Sequence, residues 1–222
     1  MKKAIVLLSG GLDSATCLHL AKEAGFKCSC LIFDYGQRHK REIESAKRIA
    51  RVANCPYQVL KIKLPWKGSA LLDNKVKVPQ AASCKLQAAS EIPSTYVPGR
   101  NIIFLSFALS FAEAAGAQAI FIGAHAQDYS GYPDCRRKFF SAFNRVISCG
   151  TKAGVKKRGI KIKMPLINKS KASIIKLGAR LGVPFALTWS CYRGGRAPCG
   201  VCDSCYFRAK GFREAGIKDP CQ

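Results

Sequence analysis

Ala4-Ile5-Val6-Leu7-Leu8-Ser9-Gly10-Gly11-Leu12-Asp13-Ser14 is the stretch that decides the architecture. Five apolar residues in a row suit a strand buried on both faces. They run straight into two glycines, which permit a sharp turn and let a ligand approach the main chain. A helix follows over 14–24, closed by Gly25. The unpaired N–H groups and partial positive charge at a helix start form an anion site, and Ser9 and Ser14 add hydroxyl donors. Asp13 would repel a bare phosphate, so it reads as a partner for Mg²⁺ or as a helix cap. A plain capped turn would use the same residues. Neither a Walker A motif nor a GxGxxG is present, which excludes the P-loop NTPases and the dinucleotide folds.

Working outward, 28–33 is a second buried strand. Ile43, Ala46, Ile49, Ala50 and Ala53 recur at helical spacing across 40–53. Residues 57–64 alternate as a strand does. The segment 65–97, rich in Pro, Ser and Lys, interrupts this rhythm as an insertion or lid. Residues 101–115 form an apolar helix, 119–123 a strand, 161–167 a late strand and 170–181 a late helix. Short apolar strands alternating with helices predict an α/β fold, a parallel sheet wrapped by helices. Ligands in such sheets sit beyond the carboxyl ends of the strands. The loops after Leu8, after Phe33, before Asn101 and after Gly123 therefore surround one crevice.

The chain has 222 residues, 48% of them apolar, enough for a substantial core and too many for a disordered chain. This length fits one domain with a small appendage, here 1–185 followed by 186–222. The stretches 101–112 and 114–127, the latter the longest without Asp, Glu, Lys or Arg, fall short of the roughly 18 residues of a membrane helix. The apolar start imitates a secretion signal but stops after five residues, below the roughly 7–15 of a signal's apolar region. A soluble, cytoplasmic protein is expected. Lys and Arg number 37 against 13 Asp and Glu, a formal +24. From residue 151 onward the balance is 16 basic to 3 acidic. Such a field attracts phosphates, nucleotides and nucleic acid without specifying a site, and a lysine-rich composition would produce it as well.

Four of the twelve cysteines, Cys191, Cys199, Cys202 and Cys205, form C-x7-C-x2-C-x2-C. A reducing compartment keeps such thiols available as ligands. Four thiolates satisfy tetrahedral zinc, and Gly194, Gly195, Pro198 and Gly200 supply the turns. No His or carboxylate replaces a cysteine, so one structural Zn²⁺ is expected. An iron–sulfur cluster is the alternative. Tyr192, Arg193, Arg196, Tyr206 and Arg208 would also suit a knuckle that grips a nucleic-acid strand.

Ser9 to Ser14 resembles the PP-loop, SGGxDS, of the ATP pyrophosphatases, which cleave ATP between the α and β phosphates and leave AMP on a substrate oxygen. The resemblance implies an adenine nucleotide α-hydrolase-like, Rossmann-like fold. It implies that Leu8, Ser9, Gly10, Gly11, Leu12, Asp13, Ser14, Ala15, Thr16, Cys17 and Leu18 bind ATP. Other segments narrow it: Phe33-Asp34-Tyr35-Gly36-Gln37-Arg38-His39, Tyr96-Val97-Pro98-Gly99-Arg100-Asn101, Asp128-Tyr129-Ser130-Gly131-Tyr132-Pro133-Asp134-Cys135-Arg136, and Thr188-Trp189-Ser190-Cys191-Tyr192. With the cysteines they resemble the 7-cyano-7-deazaguanine synthase family, QueC, from residue 4 to about 212.

That family resemblance implies a ligase forming C–N bonds, in the biosynthesis of queuosine and archaeosine. AMP is transferred from ATP to the carboxylate of 7-carboxy-7-deazaguanine, ammonia converts the adenylate to an amide, and a second activation leaves the nitrile. Charge stabilisation at phosphorus falls to Mg²⁺, the loop N–H groups and nearby cations. Asp13, Arg100, Asp128 and Asp134 are the expected catalytic residues. Arg100 and Arg38 are candidates for phosphate contacts, since a guanidinium matches phosphate bidentately. Asp128 and Asp134 would hold the guanine-like edge or assist ammonia as bases, and an Asx-turn would use them equally well. Tyr129 and Tyr132 are candidates to stack on the base, although tyrosines more often serve core or rim packing. His125, at a strand end beside the crevice, is given no catalytic role. Arg137 and Lys138 depart from the family pattern, which commonly places an acid there. No room remains for a glutaminase domain, which points to free ammonia. The expected partners are these small molecules and a second copy in a homodimer. No membrane is expected and nucleic acid is not required. The rival readings are a PP-loop enzyme that thiolates tRNA, and a QueC-like enzyme with a different acceptor.

Overall fold

The computed structural model of the protein describes residues 1–38, 40–73, 75–80, 92–125, 131–157 and 159–221. In chain order, β1 (Lys3–Leu7) is followed by α1 (Leu12–Glu23), β2 (Lys27–Asp34), α2 (Arg41–Val52) and β3 (Tyr57–Lys61). After the 65–97 segment come α3 (Arg100–Ala114), β4 (Ala119–Phe121), α4 (Arg137–Gly150), the short α5 (Lys152–Val155) and β5 (Lys161–Lys163). The chain then forms α6 (Lys171–Arg180) and α7 (Asp203–Ala215). The strands make one sheet in the order β3-β2-β1-β4-β5, every pairing parallel.

Alternation along β1 sorts the core into two layers. Ala4, Val6 and Leu8 pack with α1, α2, α6 and Phe212 of α7. Ile5 and Leu7 pack with α3 and α4 on the opposite face. Both layers are apolar, which is why the strands read as unbroken hydrophobic runs. The late strand is shorter than its pattern predicts, 161–163 against 161–167, because Pro165 has no N–H for a ladder.

Three helices, α4, α5 and α7, lie where the sequence pattern names no element. In α4, Phe140, Phe143 and Ile147 form a buried stripe at helical spacing. α7 begins directly after Cys202 and ends at Gly216, which has φ +71°. The chain leaves β1 for β2 on one side and reaches β4 on the other. That reversal leaves a crevice beyond the strand ends, and the two glycines after β1 open into it. Among the described residues, no helix is long and apolar enough to cross a membrane.

Candidate functional site

Ser9, Gly11, Asp13 and Ser14 line a cavity of about 260 Å³. Ser9 Oγ and Ser14 Oγ lie 3.0 Å apart, and Ser14 Oγ donates to the Gly11 carbonyl at 3.0 Å. Gly11 is the N-cap of α1 and no side chain caps that helix, so Asp13 does not act as the cap. Leu12, Ala15, Thr16, Cys17 and Leu18 turn into the core, where they anchor the helix, and Leu8, Ser9, Gly11, Asp13 and Ser14 face the cavity. Gly10 has φ +87°, and a Cβ there would collide with the Glu42 carbonyl oxygen and approach Ala46 N to 2.8 Å. The loop thus rests directly on the backbone of α2. Gly10→Ala is expected to lose about 1–2 kcal/mol from backbone strain alone and to weaken ATP binding by pushing α2 off the loop. Urea unfolding and nucleotide titration of the same preparation measure both effects.

Asp13 points at a lysine absent from the sequence reading. Lys171 Nζ, at the first turn of α6, lies 2.9 and 2.8 Å from the two carboxylate oxygens. It is also 2.9 Å from His125 Nε2, and His125 Nε2 is 3.6 Å from Asp13 Oδ2. Burial alone would raise the Asp13 carboxyl, but the charges of Lys171 and His125 outweigh it and hold the group below its ordinary value. The lysine is placed from both ends. Ser170 caps α6, accepting from Ser173 N. The lysine's stem lies where a Cβ on Gly211 of α7 would stand.

A second wall of the cavity carries Tyr35, Gln37, Glu42, Arg100, Tyr132 and Tyr192. Gln37 is fixed by the backbone: its Oε1 accepts from Tyr35 N at 2.8 Å and its Nε2 donates to Phe33 O at 3.2 Å. The same Nε2 donates to Glu42 Oε1 at 3.0 Å. Burial pushes the Glu42 carboxyl up to about 7, against the opposing pull of Arg100 and the Gln37 bond. Arg100 Nη1 donates to the Tyr35 hydroxyl at 3.2 Å, and its charge acts on the Glu42 carboxyl. A guanidinium so placed is suited to a ligand anion.

Arg38, Asp134 and Arg208 fall elsewhere. Arg38 does not line the cavity; its Nη1 donates to the carbonyls of Ala70 and Val76 at 3.2 and 3.1 Å, holding the 65–97 segment. The Asp134 carboxylate accepts from Asn101 N at 3.0 Å, at the start of α3, and its main-chain carbonyl accepts from Asn101 Nδ2. Asp128 and Tyr129 lie outside the described residues. Arg208 is 5% exposed and bound to Asp219. It is therefore not available to grip a strand, which corrects that part of the nucleic-acid reading.

Cys191, Cys199, Cys202 and Cys205 bring their sulfurs within 4.8 Å of one another. Zn–S bonds of about 2.3 Å in a tetrahedron place sulfurs about 3.8 Å apart, so this set fits a metal ion. The N–H groups of Arg193 and Cys199 both donate to Cys191 Sγ at 3.4 Å, and Cys202 N donates to Cys199 Sγ at 3.4 Å. Such donors stabilise thiolates. The knuckle also braces the phosphate loop. Trp189 N donates to Gly10 O at 2.9 Å, and Arg41 of α2 donates to Arg196 O at 2.7 Å. Gln80, from the 65–97 segment, bridges to Cys202.

Lys171, Glu42 and Gln37 were the residues that sequence reading missed. Gln37 stands in a segment already singled out, and Glu42 follows three residues after its end; a carboxylate so close to that motif was the available signal. A family model described as queuosine biosynthesis protein QueC matches residues 3–216. The chain is 54% identical over 221 residues to 7-cyano-7-deazaguanine synthase 2 of Desulfitobacterium hafniense, covering 99% of this chain and 92% of that protein. It is 52% identical to the 7-cyano-7-deazaguanine synthase of Trichormus variabilis, over 98% and 96% of the two chains. Two solved structures share the fold: NMN synthetase from Francisella tularensis, at TM-score 0.52, 16% identity and coverage of 98% and 78%, and a 4-thiouridine synthetase in complex with RNA and ATP, at TM-score 0.50, 18% identity and coverage of 97% and 50%. Their low identity makes them evidence of architecture alone. A phosphate loop, a four-cysteine knuckle braced against it, and relatives above half identity along nearly the whole length lead to one assignment: the chain belongs to the QueC family.

Proposed function

We propose that the protein converts 7-carboxy-7-deazaguanine and ammonia, with ATP, to 7-cyano-7-deazaguanine through an adenylated acid and an adenylated amide. One observation carries this reading beyond family membership: the phosphate loop and an aromatic, hydrogen-bonding wall face the same cavity. A nucleotide and a planar purine-like acid need that juxtaposition for AMP transfer. Leu8 to Ser14 hold the ATP phosphates, and Arg100 and Lys171 supply positive charge where negative charge develops. Asp13 would hold Mg²⁺, which neutralises the phosphates when bound. Product analysis by mass spectrometry with the acid, ATP, Mg²⁺ and ammonium tests the reading. The nitrile should form with release of AMP and pyrophosphate, and ATP turnover that requires another acceptor would overturn the substrate assignment.

The four cysteines are proposed to hold one structural Zn²⁺, closing the C-terminal element 186–222 against the nucleotide-binding body 1–185. The ion supplies a cross-link and no chemistry. Chelation is expected to release Trp189 from Gly10 and weaken ATP binding by about tenfold, the loss of one to two hydrogen bonds, with the parallel sheet retained. Elemental analysis should find one zinc per chain, and circular dichroism with nucleotide titration should separate loss of the knuckle from loss of the fold. A cytoplasmic homodimer completes the proposal, supported by Ile102 and Val146, 49% and 53% exposed on α3 and α4.

A further inference from the structure

The amide-forming step needs a proton acceptor, and one of the two carboxylates expected to serve it is committed elsewhere. Asp134 is turned onto the start of α3, and Asp128 lies outside the described residues. Among the described residues, the carboxylates lining the cavity belong to Asp13 and Glu42. Asp13 has both oxygens bonded to Lys171, an ammonium that competes for any proton it might take. Glu42 has one oxygen held by Gln37, and no bond to its Oε2 is found among the described residues.

We propose that Glu42 is the base that takes the proton from ammonia as the carbon–nitrogen bond forms. The inference rests on the amide-forming reading above. In the step, the ammonia lone pair bonds to the acyl carbon of the adenylate. The bond from that carbon to the phosphate oxygen breaks, and its electron pair leaves with AMP. One N–H proton passes to Glu42 Oε2 and is then released to solvent, restoring the carboxylate.

Three features of the site favour this role. The residue is fixed in position: its carbonyl rests against Gly10 of the phosphate loop, and its carboxylate is oriented by a glutamine whose own amide is bonded to the main chain. Among the described residues, the titratable groups that act in this corner are Arg100 from α3, Tyr35 from the segment after β2, and Tyr132 and Tyr192 beside Arg100. Burial keeps the carboxyl near 7, the range in which a general base works best at neutral pH.

The test is Glu42→Gln in the full chain, where the glutamine keeps a carbonyl to accept from Gln37. Two rates are compared with wild type: pyrophosphate exchange into ATP with the acid alone, which reports adenylation, and amide formation with ammonium. Amide formation should fall about 10²–10³-fold while exchange persists. With free ammonia held constant, the wild-type rate should rise with pH and level off above about 7. That rise should vanish in Glu42→Gln and survive in Glu42→Asp. Unchanged amide formation, equal loss of exchange, or a raised KM for the acid at unchanged kcat would each overturn the assignment. Absence of nitrile from wild type overturns the underlying reading, whereas nitrile from wild type with an indifferent Glu42→Gln overturns only the base.

Discussion

Asp13→Ala is expected to lower nitrile formation by at least about 10²–10³-fold, the usual loss when one preorganised electrostatic contact to a transition state is removed. The substitution removes the proposed Mg²⁺ partner and also strands a cation. Lys171 is 11% exposed at its side chain, and among the described residues the partner left to its ammonium without Asp13 is His125 at 2.9 Å. Breaking a buried pair by deleting one partner costs about 3–5 kcal/mol at full burial, and less here because Asp13 is 24% exposed. Lys171→Met tests the other half. It should cost comparable activity, since phosphate loses its cation, while leaving the uncompensated charge on a carboxylate with partial access to water. The double variant should recover stability relative to Asp13→Ala and recover no activity. Urea midpoints and single-turnover AMP release on the four proteins check this. Independent additive losses of stability would show that the pair does not act as a unit.

The sign of the pH dependence follows from the depressed carboxyl. A group held below its ordinary 3.8 contributes stability above that value and loses it as pH falls through the folded value. The stability gap between wild type and Asp13→Ala should therefore be constant around neutrality and close only in acid.

Arg208→Ala carries the largest expected loss of stability. The guanidinium meets Asp219 with two bonds, at 2.8 and 2.9 Å, with side chains 6% and 3% exposed. It also donates to Thr188 Oγ1 at 2.7 Å and to Phe185 O at 3.3 Å, and lies 5.1 Å from the Phe212 ring centroid. Removing it buries a bare carboxylate and unlatches the terminal segment from α7, a loss of about 3–5 kcal/mol. Because α7 also carries Cys205 and Gly211, the metal knuckle and Lys171 should loosen with it. Replacing both partners, Arg208→Met with Asp219→Leu, should restore most of the stability, because no uncompensated charge is left. A double variant as unstable as Arg208→Ala would place the cost in lost packing instead. Chemical unfolding of the two variants beside wild type decides between them.

What could be read from the chain alone was whatever is encoded within a few neighbouring residues. The phosphate loop, the buried strands and the four cysteines each occupy a short stretch whose spacing dictates local backbone or a shared ion. The parallel sheet followed from them, because apolar runs alternating with amphipathic helices have few other ways to cover both faces. Tertiary structure decided the partners. Lys171 stands 158 residues from Asp13, and among 37 Lys and Arg nothing local distinguishes it. Arg100 and Arg38 sit in equally suggestive motifs, yet one lines the cavity and the other binds loop carbonyls. Arg208 looked like a surface cation until α7 buried it. Charge identity is written in the sequence, but the neighbour that gives a charge its chemistry is chosen by the path of the chain.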